Sequence, residues 1–170
     1  MSALFPFHGG VKTVRHKIES NQRPIQPGLL PSRLIVPLHQ HVGATAKPMV
    51  QPGDRVLKGQ MIGHADGYVS AAVHAPTSGT ITAVDQQSVP HPSGLPDWCV
   101  TLEADGEDRW IERKPLDYHR LHPSDLRNAI RNAGVVGLGG AVFPSAVKMN
   151  LSGHCERLEH LILNGAECEP

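Results

Sequence analysis

Between Leu34 and Glu103 the chain alternates apolar and polar positions in short runs, with a glycine or proline at most corners. Leu34-Ile35-Val36-Pro37-Leu38 is followed by Lys47-Pro48-Met49-Val50, Arg55-Val56-Leu57 and Met61-Ile62-Gly63. Ala72-Val73-His74-Ala75-Pro76, Thr80-Ile81-Thr82-Ala83-Val84 and Trp98-Cys99-Val100-Thr101-Leu102 complete the set. Gln51-Pro52-Gly53-Asp54, Lys58-Gly59-Gln60 and Thr77-Ser78-Gly79 supply turns between them. Side chains alternate faces along a strand, so the pattern predicts half-buried strands closed into a compact β sandwich or barrel. The segment Asp85 to Asp97, with Pro90, Pro92, Gly94 and Pro96, reads as a loop. Asp105-Gly106 reads as a turn, with a short strand at Trp110-Ile111 after it.

The period changes beyond Lys114-Pro115-Leu116. Leu126, Ala129, Ile130 and Ala133 fall at i, i+3, i+4 and i+7, one apolar stripe of a helix. Ser124, or a residue just before it, can cap that helix; Asp125 suits its first turn, and Gly134 stands where a C′ glycine would end it. Leu158 to Asn164 then reads as a buried strand that ends in Asn164-Gly165-Ala166-Glu167-Cys168-Glu169-Pro170. The organisation expected is an arm over 1–33, a β domain over 34–113, and the start of an α/β domain over 114–170.

Between helix and strand lies Val135-Val136-Gly137-Leu138-Gly139-Gly140-Ala141-Val142-Phe143-Pro144-Ser145-Ala146-Val147-Lys148. Three glycines in four positions permit positive φ and let backbone N–H groups approach a ligand closely. Pro144 suits the first turn of a following helix, and Lys148 comes one turn later. A glycine loop, a helix start and a lysine together make an anion site, where each hydrogen bond to a charged phosphate is worth about 1.5–3 kcal/mol. The spacing is neither a Walker A loop nor GxGxxG, and a tight turn packed on a sheet is the competing reading. Asn164, Glu167 and Glu169 stand at a strand's carboxyl end, where α/β folds gather ligands. They suit ribose hydroxyls or a redox cofactor, or they form an ordinary polar loop, which is the reading favoured for Cys168.

Composition narrows the function classes. Lys and Arg number 16, as do Asp and Glu, so formal net charge is zero and nothing favours nucleic acid. Cys99, Cys155 and Cys168 lack CxxC spacing and suit a reducing compartment. The start resembles no signal peptide, and no apolar run is long enough to span a bilayer. His39-Gln40-His41 would put both imidazoles on one strand face, open to a metal. No Cys, Asp or Glu lies close by in sequence, which favours a structural or surface pair, and His64 and His74 are read the same way.

The order Val50-x-x-Gly53-Asp54-x-Val56-x-x-Gly59-Gln60-x-Ile62-Gly63, then Ala75-Pro76-x-Ser78-Gly79-x-Ile81, resembles biotinyl and lipoyl domains. Their cofactor hangs from a lysine at a hairpin tip. Here the tip falls near Gly67-Tyr68-Val69-Ser70, and no lysine occurs between Lys58 and Lys114. The resemblance therefore implies a barrel-sandwich hybrid used as a scaffold or docking module, with no swinging arm.

Gly137-Leu138-Gly139-Gly140-Ala141-x-Phe143-Pro144-x-x-x-Lys148, followed by the run from Asn164 to Pro170, closely resembles the RnfC proteins of Rnf electron-transport complexes. Phe7-x-Gly9-Gly10 with Lys17, Pro37-Leu38-x-Gln40-His41-x-Gly43 and His74-Ala75-Pro76-x-Ser78-Gly79 agree as well. More distantly, the glycine loop is similar to that of the flavin-binding subunit of respiratory complex I. That family has arginine at the position of Leu138, and glycine at Val142 and Ala146. The resemblance implies a mainly β barrel-sandwich hybrid followed by the start of an α/β flavin- and nucleotide-binding domain. It implies FMN held by Gly137, Gly139, Gly140 and Ala141, with Lys148 balancing phosphate charge. Asn164, Glu167 and Glu169 would complete the site, with Glu167 near the isoalloxazine and nicotinamide.

The wider implication is a peripheral subunit on the cytoplasmic face of a bacterial inner membrane. It would pass electrons from NADH through FMN to 4Fe–4S clusters whose ligands lie outside this chain, with the other Rnf subunits as partners. No side-chain acid or base is required for hydride transfer, so no catalytic residue is assigned. Two alternatives accompany this reading: a non-catalytic docking module, and the related NqrA component of a sodium-translocating NADH:quinone reductase. One parallel strand makes no stable sheet, so a fragment of a longer protein is expected, inactive by itself.

Overall fold

The structure is a computed structural model that describes Val14, residues 16–150, His160 and Ile162. The chain divides into two compact units, one of residues 30–155 and one of residues 1–29 with 156–170. Of the second, the described part includes one helical turn, α1 (Lys17–Ser20). Of the buried strand expected over 158–164 only His160 and Ile162 are described; neither lies in a strand, and Ile162 is 90% exposed, against the expectation of burial.

Among the described residues, the larger unit begins with seven antiparallel strands. They are β1 (Arg33–Pro37), β2 (Lys47–Pro48), β3 (Arg55–Val56), β4 (Met61–His64), β5 (Val73–His74), β6 (Gly79–Ser88) and β7 (Pro96–Ala104). They form a four-stranded sheet in the order β1-β7-β6-β3 and a three-stranded sheet in the order β2-β4-β5. Both sheets feed one core. Val36, Val56, Ile81, Val100 and Leu102 come from the first, Ile62 and Val73 from the second, and Leu38, Ala46 and Ala75 from their connections. This is the architecture the alternation predicts, and the chain folds as a barrel-sandwich hybrid.

The ribbon β6–β7 is longer than the sequence suggests. Pairing continues from Gly79↔Ala104 to Ser88↔Pro96, so strand takes over both ends of the expected loop, leaving residues 89–95 as the connection. Pro96 is tolerated because it opens its strand, where a missing N–H costs no internal ladder bond. Trp110 makes a single bridge to Lys58 instead of a strand.

That bridge belongs to a latch. Asp108 accepts from Lys58 Nζ at 2.6 Å and from Thr77 Oγ1 at 2.9 Å, while Lys58 and Arg113 lie over the Trp110 ring. Asp105 accepts from the Glu107 N–H at 2.9 Å and from Ser78 Oγ at 2.7 Å. The lysine bond, with help from Thr77, holds the Asp108 carboxyl below its ordinary range; the Glu107 amide and Ser78 do the same for Asp105. A depressed folded pKa contributes stability above the unfolded aspartate value, and that contribution is lost as pH falls through the folded value. The thermal midpoint is therefore expected to drop as pH goes from about 5 toward 3, and a D105N/D108N variant should show a shallower drop. Equal acid slopes in differential scanning fluorimetry would remove this role from the pair.

Candidate functional site

Helix α2 (Pro123–Asn132) carries the predicted stripe. Its cap is His122, whose side chain accepts from the Ser124 N–H, with Pro123 at the first helical position. Ser124 is thus one step inside the helix. Gly134 ends it at φ 69°, the left-handed conformation expected of a C′ glycine.

The chain then doubles back on itself. Gly137 N–H donates to Phe143 O at 2.8 Å, Ser145 N–H to Val135 O at 3.0 Å, and Val136 bridges Pro144. The pinch closes a loop over 138–142. Within it only the Val142 N–H is used, donating to Gly139 O at 3.0 Å. The amides of Leu138, Gly139, Gly140 and Ala141 have no acceptor among the described residues. Leu138 is 98% exposed, and a Cβ at Gly139 or Gly140 would meet nothing within 4 Å.

Two expectations need correction here. The loop's positive φ falls on Val142, at 45°, and on none of Gly137, Gly139 and Gly140. A β-branched side chain in that region is strained by about 1–3 kcal/mol. The glycines serve space instead: Gly137 lets Lys148 Nζ come within 3.4 Å of where a Cβ would stand, and Gly139 and Gly140 leave open volume beside their amides. The second correction concerns the helix after the loop. Pro144 is its cap, and α3 (Ser145–Lys148) is one turn long, too short for an appreciable dipole. The donors this site offers an anion are therefore the loop amides and Lys148, with no helix dipole behind them.

Lys148 lies 5.8 Å from the Phe143 ring centroid, and no carboxylate pairs with it among the described residues. Gly137, Gly139, Gly140, Ala141 and Lys148 are thus brought together. Asn164, Glu167 and Glu169 lie outside the described residues.

What the sequence reading missed is the support under the loop. Val42 N–H donates to Ala141 O at 3.3 Å, and Ala72 N–H to Arg131 O at 3.2 Å. The Arg131 guanidinium donates to Gly67 O, and Asn150 Nδ2 donates to Tyr68 Oη at 2.7 Å. Gly134 packs where a Cβ would reach Ala72 O at 2.6 Å and the His74 ring at 3.2 Å. The segment that bears the glycine loop thus touches the hairpin tip, where a biotinyl or lipoyl domain would carry its lysine, while Tyr68 stays 61% exposed. Absence of lysine at the tip was the one readable signal.

The histidines resolve in the same frame. His39 and His41 follow the end of β1 and share no strand face. His41 is 6% exposed; Nδ1 sits 3.0 Å from Val42 O, and Nε2 accepts from the Ala71 N–H at 3.0 Å. Both ring nitrogens are spent on backbone, so this histidine ties the tip to the Val42 strut. His39 instead faces Asp97, at 3.4 Å. His74 is partly buried against the end of α2, and desolvation holds its pKa below the ordinary value.

Comparison with known proteins decides the family. The sequence model of the RnfC barrel sandwich hybrid domain matches residues 5–107. The chain belongs to the RnfC family. The Nuo51 FMN-binding domain model matches residues 130–170, a span that contains the whole glycine loop and Lys148. The C subunit of the ion-translocating oxidoreductase complex of Pseudomonas aeruginosa is 48% identical over the full chain, which covers 22% of that relative. The proteins of the same name from Rhodobacter capsulatus and Haemophilus influenzae (strain 86-028NP) are 45% and 44% identical, over 98% of the chain and 32% and 25% of theirs. The chain thus spans between about a fifth and a third of these RnfC relatives. Among its described residues no helix is long and apolar enough to cross a membrane.

Proposed function

We propose that this RnfC chain supplies the β scaffold and the first wall of an FMN site in a peripheral subunit of an ion-translocating electron-transport complex. The carrying observation is the run of four unsatisfied amides from Leu138 to Ala141, beside an unpaired Lys148, inside the span matched by the FMN-binding model. Free donors plus a cation suit the FMN phosphate and ribityl chain, and Asn164, Glu167 and Glu169 would close the site around the ring. Bound FMN would supply the hydride-to-single-electron conversion between NADH and 4Fe–4S clusters held by cysteines elsewhere in the parent protein. This chain's residues bind and orient; none acts as an acid or base. The other Rnf subunits would hold the protein at the cytoplasmic face of the membrane.

Titration of the full-length protein with FMN and with riboflavin tests this. Quenching of flavin fluorescence is expected with FMN, and riboflavin, lacking the phosphate, should bind at least about tenfold more weakly. Equal affinity for the two flavins would remove the phosphate role from the loop. A complete lack of quenching would favour the second reading, a docking module without flavin. That reading draws on the contacts that Arg131 and Asn150 make with the tip.

A further inference from the structure

A cavity of about 80 Å³ is lined by Tyr68 of the hairpin tip, Arg127, Asn128 and Arg131 of α2, and Asn150 after α3. Every polar side chain in that wall can donate a hydrogen bond, and no carboxylate is among them. Arg127 and Arg131 are one turn apart on one helix face, an arrangement in which like charges repel. Neither has a carboxylate partner among the described residues, although acids and bases are equal in number along the chain. Arg131 spends one N–H on Gly67 O, and Arg127 keeps its whole fork free. Tyr68 Oη already accepts from Asn150, so its own proton is left to point at a ligand.

We propose that this cavity binds a single phosphate group, through the Arg127 fork, the remaining N–H groups of Arg131 and the Tyr68 hydroxyl. Arginine's planar fork matches phosphate oxygens two at a time, which makes phosphate a better occupant than chloride. The volume is enough for a few waters or one tetrahedral oxyanion. The cavity is distinct from the flavin loop: Ala146 and Val147 of α3 wall it, whereas Lys148 is turned to Gly137.

The test follows the arginine side-chain N–H signals of the protein by NMR during titration with orthophosphate, at constant ionic strength set with sodium chloride. Saturable shifts at Arg127 and Arg131 are expected. R127Q should weaken binding at least tenfold, R127K should keep part of it, and K148M should leave it unchanged. A second arm with ADP separates a nucleotide's phosphate from the free ion. Tighter binding of ADP assigns the site to nucleotides, and equal or weaker binding assigns it to orthophosphate. Shifts that follow chloride equally, or an R127Q variant that binds as well as the parent, would overturn the proposal. So would loss of the Arg127 response in K148M, because the anion would then sit at the glycine loop. Failure of FMN binding at that loop would leave the arginine result untouched.

Discussion

Gly79→Ala is expected to destabilise the β unit by about 3 kcal/mol or more. Gly79 opens β6 opposite Ala104 of β7. A Cβ there would stand 2.0 Å from Glu103 O and 3.0 Å from the Ala104 Cα. Both are backbone atoms of the adjacent strand in the same sheet, so relief requires parting β6 from β7. Those strands carry Ile81, Val100 and Leu102, all fully buried. Gly139→Ala is the control, since its Cβ would meet nothing within 4 Å and its φ is ordinary. Urea denaturation monitored by circular dichroism should put the control within about 1 kcal/mol of the parent. A Gly79→Ala protein as stable as the parent would mean that β6 and β7 are not in the register described.

The second large effect is on ligand rather than fold. A Gly139→Val, Gly140→Val double variant is expected to fold normally and to lose FMN affinity by about a hundredfold. The open volume beside both glycines accommodates the new side chains in the free protein. The same volume is the approach to the free amides of Leu138 to Ala141, so bound phosphate and valine methyls compete for it. Two blocked hydrogen bonds to a charged group, at about 1.5 kcal/mol each, give that factor. Flavin content after purification and a fluorescence titration both read it. Unchanged flavin content would move FMN away from this loop.

How far the sequence reached follows from the kind of interaction involved. Strand alternation, Gly53, Gly59 and Gly106 at turns, and Gly134 at the end of α2 were all legible, because each is a local backbone preference. Proline content misjudged 85–97, since the β6–β7 pairing overrides local composition. The glycine loop is legible from composition, but its positive φ falls on Val142 and not on the glycines that permit it. Val142, where the resemblance to the complex I family expects a glycine, is the residue that takes the left-handed backbone. The supports beneath the loop, Val42 to Ala141 and Arg131 to Gly67, join residues far apart in the chain. No periodicity or spacing rule reads such contacts. Nothing in the sequence marks Arg127 and Arg131, because their cavity depends on Tyr68 of the distant hairpin tip.

The central claim, that the amides of Leu138 to Ala141 hold the phosphate of FMN, is open to one direct measurement. Amide proton–nitrogen spectra of the protein, recorded with FMN and with riboflavin, report each of those N–H groups separately. The account predicts downfield proton shifts at Leu138, Gly139, Gly140 and Ala141 with FMN, and little change at the same four with riboflavin. Gly137 and Val142, whose N–H groups are already bonded to Phe143 O and Gly139 O, should move far less. Equal shifts with both flavins, or shifts confined to residues outside the loop, would contradict it.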